Sequence, residues 1–156
     1  MNRQQIYLAL YKGCRDGSGW RVWPARFTDW LTRKLTRGQY SHAEIAVREH
    51  PQASVYTCYS ASIRDKGVRC KVMPLPAAKW DLIPLPDSVG GRLHGLWEET
   101  QGQGYDLTGA FGVVFWLPEN RRRWFCSEWA GKALGLAESW RFSPNDLAAI
   151  FRREGR

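Results

Sequence analysis

The sequence predicts a single α+β domain that spans residues 1–156 and has an antiparallel sheet at its centre. In the middle of the chain, short apolar segments alternate with polar residues at the two-residue period of a strand with one buried face. Polar turns separate these segments at a spacing that is typical of antiparallel neighbours. Later segments instead repeat apolar residues every three or four positions, which is the period of a helix with one buried face.

Size and composition are those of a protein with a hydrophobic core. A chain of 156 residues can bury roughly 70% of the surface that its unfolded form exposes. The hydrophobic fraction is 44%, and the chain has 9 Trp, 6 Tyr and 6 Phe. These values exclude a disordered or fibrous protein. No apolar stretch reaches about 18 residues, so no transmembrane helix is predicted.

The net charge is strongly positive. The chain has 23 Lys and Arg against 15 Asp and Glu, which gives +8 at pH 7. Such a protein is attracted to polyanions, and nucleic acid, anionic membranes and acidic cell-wall polymers all fit this charge. Arginine-rich segments at residues 121–123 and 151–156 are typical of solvated faces as well as of binding surfaces.

The first half of the chain is predicted to consist mainly of strands. They cover residues 6–11, 40–47, 54–61, 67–75 and 79–85. Prolines in the last two segments favour positions at the ends or edges of the sheet. Between the first two strands, we expect a short helix that Thr28 or Asp29 caps and that Gly38 ends.

The second half is predicted to be mainly helical. A helix covers residues 89–100, and a connection rich in Gly and aromatic residues follows at 102–123. The next helix begins near Cys126, and Gly135 is placed to end it. Ser143 is the expected N-cap of the last helix, with a proline at the first helical position.

The strand YSHAEIAV, residues 40–47, carries ionisable side chains on one face. Its apolar residues fall on one side, so that His42 and Glu44 fall on the other. A strand whose polar face meets solvent would explain this pattern, and so would a functional histidine. His50 lies in a predicted turn and His94 in a predicted helix, and we expect both to be exposed.

The four cysteines, Cys14, Cys58, Cys70 and Cys126, form no C-x-x-C pair and show no Cys/His spacing suited to zinc. We therefore predict no metal site and no cofactor. Cys126 begins a predicted helix just after three arginines, where the helix dipole and the basic neighbours favour the nucleophilic thiolate. The alternative is a small buried residue at a helix start. The other three are expected to be buried thiols or, in an oxidising setting, partly paired.

The order of these candidates resembles that of a known enzyme group. His42 in YSHAEIAV, followed by Cys126 in FCSEW, resembles the circularly permuted branch of the NlpC-type, papain-like cysteine peptidases, which includes YiiX-like proteins and relatives of lecithin:retinol acyltransferase. In ordinary papain-like enzymes, the cysteine helix precedes the histidine strand. The resemblance extends from about Ile6 to Leu136. It implies a permuted papain-like fold in which the sheet packs against the helix that carries the cysteine.

The resemblance also implies roles for individual residues. Cys126 would be the nucleophile and His42 the general base, and Tyr40 would contact the oxyanion together with the backbone N–H of Cys126. YiiX-like relatives take the third catalytic member from the following strand, but TCYSAS offers no carboxylate there. We expect Glu44 to orient His42, with Ser60 as the alternative.

Two residues near the cysteine have other expected roles. Glu128 is predicted to be a residue of the first helical turn that complements the helix dipole. Tyr105, in the segment GYDLTGAFG, could form a wall of the substrate groove, although such residues usually only pack.

The function predicted from these features is that of a small cysteine hydrolase that cleaves a peptide or isopeptide bond through an acyl-enzyme. Bacterial cell-wall peptide is a natural candidate substrate, and a phage or bacterial source would suit it. The N-terminus lacks the features of a secretory signal, so we expect synthesis in the cytoplasm and delivery to the wall by a phage or secretion route.

Two other functions fit the same sequence. A lipid acyltransferase or thioesterase would need a membrane-facing apolar segment, for which residues 20–31 and 109–117 are the candidates. A non-catalytic basic binding module or virion component would hold an anionic polymer, with nucleic acid among the candidate partners.

Overall fold

The structure is a computed structural model that describes residues 4–13, 23–106 and 123–152, without the side chains of residues 23–25. These residues form a mixed α+β fold. The strands are β1 (Gln5–Tyr11), β2 (His42–Arg48), β3 (Tyr56–Ser62), β4 (Gly67–Met73), β5 (Trp80–Leu85), β6 (Gly104–Tyr105) and β7 (Arg123–Trp124). The helices are α1 (Trp23–Leu35), α2 (Val89–Thr100), α3 (Cys126–Ala133) and α4 (Pro144–Phe151). Predictions for Cys14, residues 20–22 and 109–117, and most of the arginine-rich segments lie outside the described part of the chain.

The seven strands form one curled sheet in the order β5-β1-β2-β3-β4-β6-β7. Strands β1 to β4 are consecutive antiparallel neighbours, and the pairing of β2 with β3 is the one that the sequence predicts. Strand β5 pairs with the free side of β1, so Pro84 lies in an edge strand, where a missing N–H is tolerated. The parallel pair β6–β7 is absent from the prediction, because a strand of two residues is too short to show an alternation.

The main core lies between the sheet and helices α2, α3 and α4. Its largest fully buried side chain, Trp129 of α3, donates its indole N–H to Thr100 Oγ1 at 2.8 Å. A smaller cluster that includes Ala46 and Cys58 covers part of the opposite face of the sheet. Both faces of β2 are therefore buried along its centre. The face that carries Glu44 is not a solvent-exposed face, although the sequence pattern would allow one.

The predicted C-terminus of α3 and the predicted N-cap of α4 are confirmed. Helix α3 ends in a Schellman motif, in which Gly135 has a φ of +83° and the N–H of Leu136 donates to the carbonyl of Gly131 at 3.0 Å. A left-handed φ of this kind suits glycine. Ser143 caps α4, because its Oγ accepts from the N–H of Asp146 at 3.2 Å.

The predicted start of α1 is wrong. The helix begins at Trp23, so Thr28 and Asp29 lie inside it rather than at its cap. Pro24 explains the earlier start, because proline is favoured in the first turn of a helix, where its missing N–H costs nothing. Arg33 Nη2 donates to the carbonyl of Gly13 at 2.7 Å, and this bond ties α1 to the end of β1.

Candidate active site

The first residues of strand β2 and helix α3 lie together at the candidate site. His42 is the first residue of β2 and Cys126 is the first residue of α3, the helix that packs on this strand. The charge and hydrogen-bonding capacity of the His42 side chain act on the Cys126 thiol, and the backbone N–H groups of Ala43 and Ser127 also favour its thiolate form. The predicted contact between cysteine and histidine is therefore present in the fold.

The environment of this pair favours its ionised form. Burial alone would raise the pKa of the Cys126 thiol, but the charge and hydrogen bond of His42 and the two backbone N–H groups lower that pKa below its usual value. Burial likewise opposes a charged imidazole, yet Cys126 and then Glu44 raise the pKa of His42 to about 9. Each group thus stabilises the charge of the other, as in a thiolate–imidazolium pair.

Glu44 orients the histidine. His42 Nε2 lies 2.9 Å from Glu44 Oε1, which leaves Nδ1 as the ring nitrogen available to Cys126. The predicted contact is therefore present, although the two residues are separated by about 6.6 Å of strand rise. Glu44 is only 1% exposed. Ser60, the alternative, instead donates its hydroxyl to the carbonyl of Ala43 at 2.7 Å and does not take this role.

Arg69 of β4 binds the same carboxylate. Its Nη2 lies 2.5 Å from Glu44 Oε1 and its Nη1 lies 3.1 Å from Oε2, so both oxygens are engaged. Burial would raise the pKa of Glu44, but His42 and then Arg69 hold that pKa below its usual value. Arg69 cannot be identified as this partner from the sequence, because it lies 25 positions from Glu44 and in no motif that marks an ion pair.

An open cavity of about 390 Å³ lies against the pair, within the size range of small-molecule sites. Cys126, His42 and Glu44 all line it. Its walls come from α1, from the turn between β3 and β4, and from the β5 and β6 strands. The lining residues apart from these three include Tyr11, Thr28, Asp29, Thr32, Ile63, Arg64, Asp65, Arg69, Lys71, Trp80 and Tyr105.

Trp80 covers the histidine from the β5 side. The ring centroids of His42 and Trp80 are 6.4 Å apart, with an edge-on angle of 69°. Trp80 is in turn packed edge-on against Tyr11 at 5.1 Å. Trp80 and Tyr11 thus form an aromatic wall beside the histidine.

Tyr40 lies in a different setting from the one expected. Its hydroxyl donates to Asp81 Oδ2 at 2.5 Å and accepts from Arg152, and the residue is not among those that line the cavity. Burial and the hydrogen bond to Asp81 raise the pKa of Tyr40, so the hydroxyl keeps its proton for that carboxylate. This arrangement does not favour the predicted oxyanion contact, because a hydroxyl has a single proton to donate.

The other residues with predicted roles are placed as follows. Tyr105 lines the cavity beside the triad, which is where a groove wall would lie. Glu128 is the third residue of α3, and its carboxylate accepts from the N–H of Phe125 at 3.3 Å, as expected for a first-turn acid. His50 and His94 are exposed, as predicted.

The two other cysteines of the described residues differ chemically from Cys126. Cys58 and Cys70 are free thiols, and burial raises the pKa of each. Their register partners are Lys71 and Tyr59, so the two thiols point to opposite faces of the sheet and cannot join in a disulfide. Of these three cysteines, Cys126 is the one whose pKa is lowered.

The described residues contain neither a metal-binding cluster nor a membrane-spanning helix. Within residues 4–13, 23–106 and 123–152, no group of three His, Cys, Asp or Glu side chains could hold a metal ion. None of the helices in these ranges has the length and apolar character needed to cross a membrane. Comparison with protein-family models, curated proteins and solved structures found no significant match.

Proposed function

We propose that this protein is a cysteine hydrolase that cleaves an amide bond through an acyl-enzyme on Cys126. The observation that carries the proposal is that Cys126 and His42 interact electrostatically, that His42 is hydrogen-bonded to Glu44, and that all three line an open cavity. A nucleophile, a base and an orienting acid in this order constitute the minimum apparatus of covalent acyl transfer.

The reaction follows from the charges of the pair. The Cys126 thiolate attacks the carbonyl carbon, and the oxyanion accepts a hydrogen bond from the N–H of Cys126, which has no partner within α3 because it begins that helix. The His42 imidazolium then gives its proton to the leaving amine, and the C–N bond breaks to leave a thioester. Neutral His42 takes a proton from water, and the resulting hydroxide attacks the thioester and releases the acid and the Cys126 thiolate.

The resemblance to permuted NlpC-type peptidases supports an amide substrate, because it rests on His42 and Cys126, the same two residues that the fold joins. A papain-like permuted fold is part of this proposal. The net charge of +8 would favour an acidic polymer such as bacterial cell-wall peptide as the substrate.

One observation favours a lipid substrate as the second candidate. Phe27 and Trp30 of α1 are 44% and 54% exposed and stack with ring centroids 5.9 Å apart. They lie on the same helix as Thr28, Asp29 and Thr32, which line the cavity. Exposed aromatic residues beside an acyl-transfer site suit an acyl chain or a lipid surface.

The experiment that tests the proposal is the rate of iodoacetamide alkylation of each cysteine against pH, mapped by mass spectrometry, in the wild type and in His42→Ala. At pH 6 an ordinary thiol of pKa ~8.5 is only about 0.3% thiolate. We expect Cys126 to react about 10²-fold faster than such a thiol, after allowance for the lower nucleophilicity of a low-pKa thiolate. His42→Ala should remove this advantage.

Cys58 and Cys70 of the same molecule serve as internal controls, because their thiols have raised pKa values. An ordinary or silent Cys126 in the wild type would refute the proposed chemistry and would favour a binding protein. With an activated Cys126, fluorogenic peptide amides and cell-wall peptides are compared with phospholipid vesicles. Amide turnover that Cys126→Ala abolishes supports the hydrolase, whereas vesicle binding with lipid deacylation and no amide turnover supports the second candidate.

A further inference from the structure

Arg69 and Glu44 lie in one row that crosses three strands. Ser60 of β3 is the register partner of Arg69, and continuing the pairing of Ile45 with Tyr59 by one residue sets Ser60 beside Glu44. Neighbouring strands are about 4.8 Å apart, so Arg69 must extend over β3 to reach Glu44. Ser60 makes this path available, because its side chain is small and its hydroxyl is turned toward the Ala43 carbonyl.

Arg69 fixes the plane of the Glu44 carboxylate. Two hydrogen bonds to the two oxygens of one carboxylate hold its orientation, whereas the terminal torsion of a glutamate is otherwise broad. The same oxygen that receives Arg69 Nη2, Oε1, also faces His42 Nε2 at 2.9 Å. The orientation that Arg69 imposes is therefore the orientation in which Glu44 meets the histidine.

The charges around Arg69 alternate in sign. From the site outward, they are the Cys126 thiolate, the His42 imidazolium, the Glu44 carboxylate, the Arg69 guanidinium, the Asp65 carboxylate and the Lys71 ammonium. The thiols of Cys58 and Cys70 are the other titratable groups near the guanidinium. Without Arg69, His42 would be the one remaining charged partner of Glu44 among these groups, and burial would oppose the negative charge of the carboxylate.

Arg69 also connects the triad to a wall of the cavity. Its Nε donates to Asp65 Oδ2 at 3.1 Å. Asp65 belongs to the turn between β3 and β4, and this turn contributes Ile63 and Arg64 to the cavity lining as well. A substrate that contacts the turn would therefore touch a segment that is held, through Arg69, to the acid of the triad.

We infer that Arg69 is a positioning residue of the site, which keeps Glu44 ionised and directed at His42 and joins this acid to the cavity turn. The inference rests on the proposed function, because it assigns Arg69 a role in the activation of Cys126. Arg69 itself lines the cavity, but the role inferred here is exerted through Glu44.

The test is the pH profile of Cys126 alkylation by iodoacetamide in Arg69→Gln, with the His42 imidazole titration followed by NMR in the same samples. In Arg69→Gln, Glu44 should hold its proton to higher pH and stabilise the imidazolium less. We expect the acid limb of the profile to move up by about one pH unit, which lowers the rate on that limb about tenfold. Arg69→Lys keeps the charge but loses the two-bond geometry, so its limb should lie between those of wild type and Arg69→Gln.

Arg48→Gln is the matched control, because Arg48 of β2 donates to the backbone carbonyl of Ala53 and does not line the cavity. Its profile should equal that of the wild type. A folded Arg69→Gln whose acid limb coincides with the wild-type limb, or lies below it, overturns the inference. If Arg69→Gln does not fold, Arg69→Lys decides, and a limb equal to that of the wild type overturns the inference. A wild type without low-pH alkylation of Cys126 refutes the proposed function itself, so the two failures are distinguishable.

Discussion

Replacement of Glu44 and Arg69, singly and together, measures how strongly the buried pair is coupled. The side chains are 1% and 13% exposed and are joined at 2.5 Å and 3.1 Å. Each single change to Gln removes one partner of a buried charge but leaves another, His42 for Glu44 or Asp65 for Arg69, so we expect a loss near the lower end of the range for a broken buried pair, about 3 kcal/mol. For a domain of this size, a loss of about 3 kcal/mol lowers the Tm by about 6–12 °C.

The double variant removes both charges at once, so it should be more stable than the sum of the single effects predicts. We expect a coupling of about 2–3 kcal/mol, within the range measured for contacting residues. Urea unfolding at pH 7, followed by tryptophan fluorescence, supplies the four free energies of unfolding. The exposed pair Arg141–Glu138, joined at 3.0 Å with both side chains at least half exposed, is the control, and its coupling should stay below about 1 kcal/mol.

An additive result would refute this reasoning. If the losses in the two single variants sum to the loss in the double variant within about 0.5 kcal/mol, Glu44 and Arg69 do not depend on each other in the folded protein. The carboxylate would then have to be held by His42 alone, and the role inferred for Arg69 would lose its physical basis.

Two further predictions follow from the pKa shifts and from Tyr40. Because the pKa of Glu44 in the fold lies below its unfolded value of 4.5, this group contributes stability that is fully present above pH 4.5 and is lost as the pH falls through the folded pKa. The free energy of unfolding, measured with urea between pH 7 and pH 3, should therefore fall more steeply in the wild type than in Glu44→Gln. Parallel curves for the two proteins would contradict the lowered pKa of Glu44. Tyr40→Phe should lower the free energy of unfolding by about 1–3 kcal/mol, because Asp81 and Arg152 lose a partner. Its turnover of a fluorogenic peptide amide should equal that of the wild type, and a loss of turnover in a folded Tyr40→Phe with an unchanged Cys126 alkylation profile would restore the oxyanion role.

Much of the fold can be predicted because local patterns determine it. The alternation in the central segments gives β2 to β4 within two or three residues, and Ser143 and Gly135 mark helix ends through their own backbone chemistry. Helix α1 is misjudged at its start because Thr28 and Asp29 are good N-cap residues in any context. Pro24, which also suits the first turn of a helix, lies before these two residues and therefore outside the expected helix.

The contacts of the site are likewise predictable where they are local in sequence and not where they join distant parts of the chain. His42 and Glu44 are two positions apart on one strand, so their contact can be expected from strand geometry. Arg69 becomes a partner only when β4 is placed two strands from β2, which no local pattern specifies. The surroundings of Tyr40 could not be predicted for the same reason. Its hydroxyl binds Asp81 and Arg152, which come from distant parts of the chain.

The placement of Cys126 beside His42 is set by the core rather than by a loop. Cys126 opens a helix whose Trp129, Ala130 and Ala133 are completely buried against the sheet, and His42 opens the strand on which that helix packs. Because close-packed side chains leave little room for the helix to slide, the N–H groups of Ala43 and Ser127 stay directed at the sulfur. In the proposed hydrolase, the thiolate would therefore be stabilised by groups that are in place before a substrate arrives, and this preorganisation is what the pH profile of Cys126 alkylation measures.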